Sequence, residues 1–197
     1  MIGAILLSLA QGAGAWAHPF DLPQPDGFPA EILVVIEIPA GGGVKYEIDP
    51  THGYVTVDRF IQSALRYPGS YGSVPRTIAG DGDPLDVLLI AREPLPPGVA
   101  VRVRPIGVLR LLDSGEQDDK VLAVPARDLD PTYAAIGDVS ELPEMERRRI
   151  GQFFELYEGL TPGQVTELGG LEGRDAALRT LEAAAASYTR ERGAAEH

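Results

Sequence analysis

Gly80-Asp81-Gly82-Asp83-Pro84-Leu85-Asp86-Val87-Leu88-Leu89 sets three carboxylates at offsets 0, 2 and 5 directly against an apolar run. Carboxylates this close repel one another unless a cation or a proton sits among them. Oxygen donors of this kind suit Mg²⁺ or Mn²⁺ better than a soft metal. Offsets 0 and 2 share a strand face and offset 5 does not, so the three converge only if the first part is loop. Gly82 and Pro84 supply that loop, and the spacing predicts a strand beginning near Leu85.

Upstream, Glu31–Ile38 is a β-branched run that Pro39 ends, hence a strand. Gly41-Gly42-Gly43 predicts a turn, with Val44–Ile48 as the returning strand of a hairpin. Tyr54–Phe60 predicts a further strand with Val55 and Val57 inward and Thr56 and Asp58 outward. Arg66–Thr77, with its Tyr, Pro and Gly, reads as an ordered loop. Downstream, Val99–Leu112 alternates as one long strand or two joined at Pro105-Ile106-Gly107, and Lys120–Val124 is the next. The last third reads as helical. Ile150, Phe153, Phe154 and Tyr157 fall at i, i+3, i+4, i+7, and Gly159 and Pro162 stop that helix. A second helix runs from about Asp175 to Arg190, with Leu178, Leu181 and Tyr188 on one stripe. The expected architecture is α+β, mainly β: a small closed antiparallel barrel of about five strands, OB-like, with two C-terminal helices packed on it.

At 197 residues, the chain is long enough for one domain with its own core. We expect residues 18–197 to form that domain. Residues 1–17 are a short apolar run ending Ala15-Trp16-Ala17. This pattern reads as a secretory signal lacking its basic start, or else as an extension from a misassigned start codon. The net charge of -12 argues against nucleic acid or an anionic membrane as partner. Without cysteine there is no disulfide, thiolate nucleophile or zinc–thiolate site. His18, His52 and His197 fit no metal-ligand spacing. The only two lysines, Lys45 and Lys120, stand against fifteen arginines. Either base composition left them by chance, or both places need a compact ammonium instead of a planar fork.

A second acidic loop, Asp113-Ser114-Gly115-Glu116-Gln117-Asp118-Asp119-Lys120, follows a strand as the first precedes one. One such loop is ordinarily a solvated turn. Two at strand ends could face each other across a barrel mouth and hold several divalent ions, an arrangement suited to phosphoryl displacement. Rival motifs fail on the letters. From Asp81, an EF-hand would put ligands at Leu85 and Arg92, and no P-loop or G-x-S-x-G elbow occurs.

The run Asp81-Gly82-Asp83-Pro84-Leu85-Asp86-Val87 resembles the signature of soluble family I inorganic pyrophosphatases of bacterial type. Ordered matches extend the likeness from about Ile32 to Tyr157. They include Val35-Ile36-Glu37-Ile38-Pro39, Lys45-Tyr46-Glu47-Ile48-Asp49, Val57-Asp58-Arg59-Phe60, Tyr67-Pro68-Gly69-Ser70-Tyr71-Gly72 and Phe153-Phe154-Glu155-Leu156-Tyr157. The resemblance implies Mg²⁺-dependent hydrolysis of pyrophosphate, with Mn²⁺ as the alternative ion. It implies Asp81, Asp86, Asp113, Asp118 and Glu47 as metal ligands. Asp83 would be the general base on a water bridging two metals. Lys45, Arg59, Tyr71, Tyr157 and Lys120 would hold substrate oxygens, with Glu37 a carboxylate behind the ligands. It further implies a cytoplasmic homo-oligomer.

The chain departs from the family pattern where Glu158 and Gln164 stand in place of lysines and where Val165 and Thr166 replace the tryptophan and lysine typical just beyond. Gln152 and Leu156 replace histidines that pack bacterial hexamers, which weakens the hexamer inference. Losing an ammonium beside phosphate costs about 1.4 kcal/mol for each tenfold loss of activity. Two alternatives therefore stay open: a weakly active or noncatalytic phosphate-binding relative, and a hydrolase of another polyphosphate.

Overall fold

In the computed structural model, residues 18–157 and 165–195 are described. The reading of residues 1–17 as a signal, the helix stop at Gly159 and Pro162, and His197 lie outside them.

Among the described residues, nine strands and two α-helices follow in order: β1 (Ile32–Ile38), β2 (Val44–Ile48), β3 (Val55–Phe60), β4 (Ser70–Ser73), β5 (Asp86–Leu89), β6 (Ala100–Asp113), β7 (Glu116–Gln117), β8 (Lys120–Pro125), α1 (Glu144–Leu156), β9 (Thr166–Gly173) and α2 (Arg174–Ala195). Strands pair in the order β1-β4-β5-β8-β6, and β6 pairs back with β1, so the sheet closes on itself as a five-stranded barrel. The barrel and the two helices agree with the sequence-based expectation. Its orientation differs in one place, because β5 and β8 run parallel, with Asp86 opposite Lys120.

Alternation along the central strands feeds two apolar clusters. Val87, Leu89, Val121 and Ala123 pack with Ile32, Val34 and Ile36 and reach Ala177, Leu181 and Ala184 of α2. Leu88, Leu122 and Val124, one residue out of phase, pack with Ile106 and Leu109 and take Ile150, Phe153 and Phe154 of α1. Each fully buried Leu, Ile or Phe in these clusters contributes about 1.5–3 kcal/mol relative to exposure. The i, i+3, i+4 stripe of α1 is thus its buried face.

Four expectations need correction. β2 does not return against β1; it pairs with β3 as a separate two-stranded sheet, while β1 lies between β4 and β6. The Gly41 and Tyr67 backbones explain this, since Gly41 N–H donates to Tyr67 O at 2.9 Å and draws the turn toward the 66–69 segment. Val57 points outward and is 51% exposed. The loop expected over Arg66–Thr77 contains β4. The last third, expected as helices alone, also contains β9, which runs antiparallel to β6. Among the described residues, no helix is long and apolar enough to cross a membrane.

Candidate active site

Asp86 opens β5, and Lys120 opens its parallel neighbour β8, so their register sets the two side chains side by side at one end of the barrel. Lys120 Nζ donates to Asp86 Oδ2 at 2.6 Å and to Asp118 Oδ1. Tyr71, from β4, donates its hydroxyl to the same Asp86 oxygen at 2.5 Å and lies under the ammonium, 5.7 Å from ring centre to Nζ. The Asp81–Pro84 turn stands in front. Gly82 has φ +91°, a conformation that only glycine adopts without strain. Asp83 N–H donates to Asp81 Oδ1 at 3.0 Å, and the Asp83 carbonyl accepts from Ala79 N–H at 2.7 Å. This hydrogen-bonded turn is how Asp-Gly-Asp-Pro holds two carboxylates outside the strand.

The β2–β3 hairpin supplies the facing wall. Lys45 and Arg59 are cross-strand partners, and Lys45 Nζ lies 2.7 Å from Glu47 and 3.4 Å from Asp58. Tyr157, the residue closing α1, stacks on Phe153 with ring centres 5.2 Å apart. Asp113 ends β6 at the hairpin that leads to Asp118.

One cavity of about 550 Å³ opens among these elements. Lys45, Glu47, Arg59, Tyr71, Asp81, Asp83, Asp86, Asp113, Asp118, Lys120 and Tyr157 all line it, which brings every site residue expected from the sequence to one place. Glu37 lines it from behind, buried, with Ser73 Oγ donating at 2.9 Å and Ile48 N–H at 3.2 Å. Sequence reasoning missed Glu116, Arg76 and Tyr188, which also line the cavity. Glu116 was within the quoted acidic loop and could have been named; Arg76 and Tyr188 carry no local signal. Glu158 and Gln164 lie outside the described residues.

The electrostatics are those of crowded carboxylates. Burial raises the Glu37 carboxyl to about 7, with the Asp86 charge adding to it. Asp118 is raised to about 6 by burial, against the pull of Lys120 and with repulsion from Asp86 and Asp81. Asp83 is pushed up by burial and by Asp81, Asp86 and Glu47. Burial pulls Lys120 down, but Asp86 and Asp118 outweigh it, so the ammonium holds its proton more firmly than an ordinary lysine. Tyr71 is raised well above its usual range by burial and the same two carboxylates, so it acts as a donor and not as phenolate.

Eight carboxylates and four cationic side chains line the cavity, so its own charge repels an anion. Oxygen donors without sulfur or imidazole fit a hard divalent ion. Among the described residues no three carboxylates stand close enough to hold one ion, and the Lys120 ammonium provides the counter-charge between Asp86 and Asp118.

Comparison with known proteins gives the same address. The Pyrophosphatase family model, described as inorganic pyrophosphatase, matches residues 34–189. The chain is 46% identical over 168 residues to the inorganic pyrophosphatase of Aquifex pyrophilus, covering 85% of this chain and 95% of the relative. It is 43% identical to that of Agrobacterium fabrum, covering 81% and 91%. The crystal structure of the inorganic pyrophosphatase from Thermus thermophilus matches with TM-score 0.84 at 40% identity, covering 88% of this chain and 99% of that one. A barrel that gathers these aspartates, lysines and tyrosines, together with matches over most of its length, makes this chain a member of the inorganic pyrophosphatase family.

Proposed function

We propose that the protein hydrolyses inorganic pyrophosphate to two phosphates in a Mg²⁺-dependent reaction, with Mn²⁺ as a substitute ion. The observation that carries this reading is the shared cavity of Asp81, Asp83, Asp86, Asp118, Lys45, Arg59 and Lys120. Asp81, Asp86, Asp113, Asp118 and Glu47 would hold the ions. Their approach requires the exposed Asp81–Asp83 turn to draw toward Asp86 and Asp118. When bound, divalent ions supply the positive charge that a tetra-anionic substrate needs and make nearby water more acidic.

The rest falls to the chain's own groups. Lys45 and Arg59 hold phosphoryl oxygens from the hairpin side, and Tyr157 donates from the end of α1. Tyr71 orients Asp86, and Lys120 steadies Asp86 and Asp118 as charge builds at the reacting phosphorus. Asp83 takes the proton of the attacking water. Its raised proton affinity suits that role, since a carboxylate at its ordinary value is a weak base. The water oxygen bonds to phosphorus as the bridging oxygen leaves on the second phosphate, in line with the attack. Two phosphate anions then share a cavity whose own charge is negative, which favours their release.

We further propose that the protein works in the cytoplasm as a homo-oligomer, with the exposed Tyr54, Val57 and Phe60 available for burial between copies. The test of the chemistry is Asp83→Asn. Phosphate release should fall by about 10²–10⁴-fold while Mg²⁺ affinity stays close to the parent's. Retained turnover would remove Asp83 from the role of base.

A further inference from the structure

Asp119 stands between an expected metal ligand, Asp118, and an expected substrate-binding residue, Lys120, yet takes no part in the cavity they line. It lies in the two-residue link between β7 and β8, with its side chain turned away from that cavity and the residue 5% exposed. There its Oδ2 accepts from Arg110 Nη1 at 2.5 Å and from Gln117 Nε2 at 2.8 Å, and its Oδ1 accepts from Leu111 N–H at 3.3 Å. Arg110 also donates from Nη1 to Thr180 Oγ1 on α2 at 3.0 Å and from Nη2 to Glu172 on β9 at 2.9 Å. One guanidinium therefore joins the acidic hairpin, β9 and α2.

A cavity of about 320 Å³ lies on that side, lined by Gly80, Leu85, Gln117 and Asp119 and by Thr180 and Ala184 of α2. A polar bridge through Arg110 links the hairpin to α2. The Asp118 backbone is tied to the same unit, its N–H donating to Leu111 O at 2.9 Å.

We propose that Asp119, held by Arg110, is a positioning residue that sets the reach of Asp118 toward the divalent ions and couples that reach to α2 through Thr180. This rests on the reading of Asp118 as a metal ligand. Groups that orient a ligand from behind typically change metal affinity by about 10–100-fold when removed.

The test is Mn²⁺ titration of the substrate-free protein, followed by calorimetry, alongside the melting midpoint in chelator. Asp119→Asn keeps the side chain's size and should raise the Mn²⁺ dissociation constant by about tenfold. The lost activity should return at saturating metal. Thr180→Val, which removes one hydroxyl at low risk to folding, should shift the constant in the same direction by less. Asp119→Asn combined with Arg110→Ala should bind no worse than the weaker single variant, because both break one bridge. A lower melting midpoint with parent-like Mn²⁺ binding in Asp119→Asn and Thr180→Val would reduce the bridge to a fold-stabilising role and overturn the proposal. Asp118→Asn separates the two levels. If it binds Mn²⁺ as the parent does, the ligand reading fails and takes this inference with it. If it loses affinity while Asp119→Asn does not, this inference alone fails.

Discussion

Lys120 and Lys45 are the two lysines of the chain, and the site receives one from each of two unlike regions. Lys120 begins a central barrel strand, its side chain 3% exposed, bonded to Asp86 and Asp118 and backed by Tyr71. Lys45 stands on a two-stranded sheet with its side chain 23% exposed and its acidic partners more open still. An isolated two-stranded hairpin is marginal in water. This one is tied to β1 at its turn end, where Ile48 is buried and its N–H donates to Glu37 Oε1 at 3.2 Å. The Asp86–Lys120–Asp118 cluster is therefore held by the core, while the Lys45–Arg59 wall hangs from it. Under the proposed reading, a core-held Asp86 and Asp118 suit ions that demand fixed geometry, and a more exposed cationic wall suits an anion that must enter and leave as two fragments.

Breaking the barrel lysine should have the largest effect. Lys120→Met leaves Asp86 and Asp118 facing each other without a counter-charge, and should cost about 3–5 kcal/mol in urea unfolding without metal. Added Mg²⁺ should restore part of it. Next comes pH. The folded Glu37 carboxyl sits at about 7 against an ordinary 4.5, so between those values the native state holds a proton that the unfolded chain has lost. Stability in chelator should therefore fall as pH rises through that window, by up to about 3 kcal/mol from this group. Asp118 acts in the same direction below about 6. Glu37→Gln should flatten the profile measured from pH 5 to 8; an unchanged slope would mean that Glu37 is charged throughout. Lys45→Met should cost under about 1 kcal/mol of stability. It should nonetheless lower kcat/KM for pyrophosphate tenfold or more, each tenfold being about 1.4 kcal/mol. A stability loss equal to that of Lys120→Met would erase the contrast between the two walls. Smallest of all, Phe60→Ser on the hairpin's exposed face should leave the unfolding free energy within about 0.5 kcal/mol while shifting any oligomer toward monomer in sedimentation.

How much of this was legible depends on where each signal resides. The Asp81–Asp86 stretch was readable because its turn is made by its own residues: an Asx-type bond at Asp81, a positive φ at Gly82 and Pro84 before the strand. The α1 stripe was readable for the same reason, since helix periodicity is local. β4 was not, because Ser70-Tyr71-Gly72-Ser73 has no apolar alternation. It is a strand by virtue of its neighbours β1 and β5, and at Gly72 an added Cβ would sit 2.1 Å from the Val35 carbonyl. β9 is similar, a glycine-containing segment made into a strand by pairing along β6. The direction of β5 against β8 and the partner of β2 are long-range choices that no window of residues carries. Val57 misled for a related reason: alternation marks two faces but does not say which one the barrel will cover. The site itself was legible further than the fold around it, since the aspartates, lysines and tyrosines were named by motif even where their strands were not. Arg76 and Tyr188 reach the cavity through the tertiary fold alone.

Phosphate release from pyrophosphate by the purified protein, followed while Mg²⁺ is titrated and then removed with chelator, tests the central claim most directly. Turnover should rise with Mg²⁺, collapse in chelator and return when the ion is restored, with pyrophosphate preferred over tripolyphosphate and phosphate monoesters. A folded protein that releases no phosphate at any Mg²⁺ concentration, or one that works undiminished in chelator, would contradict it.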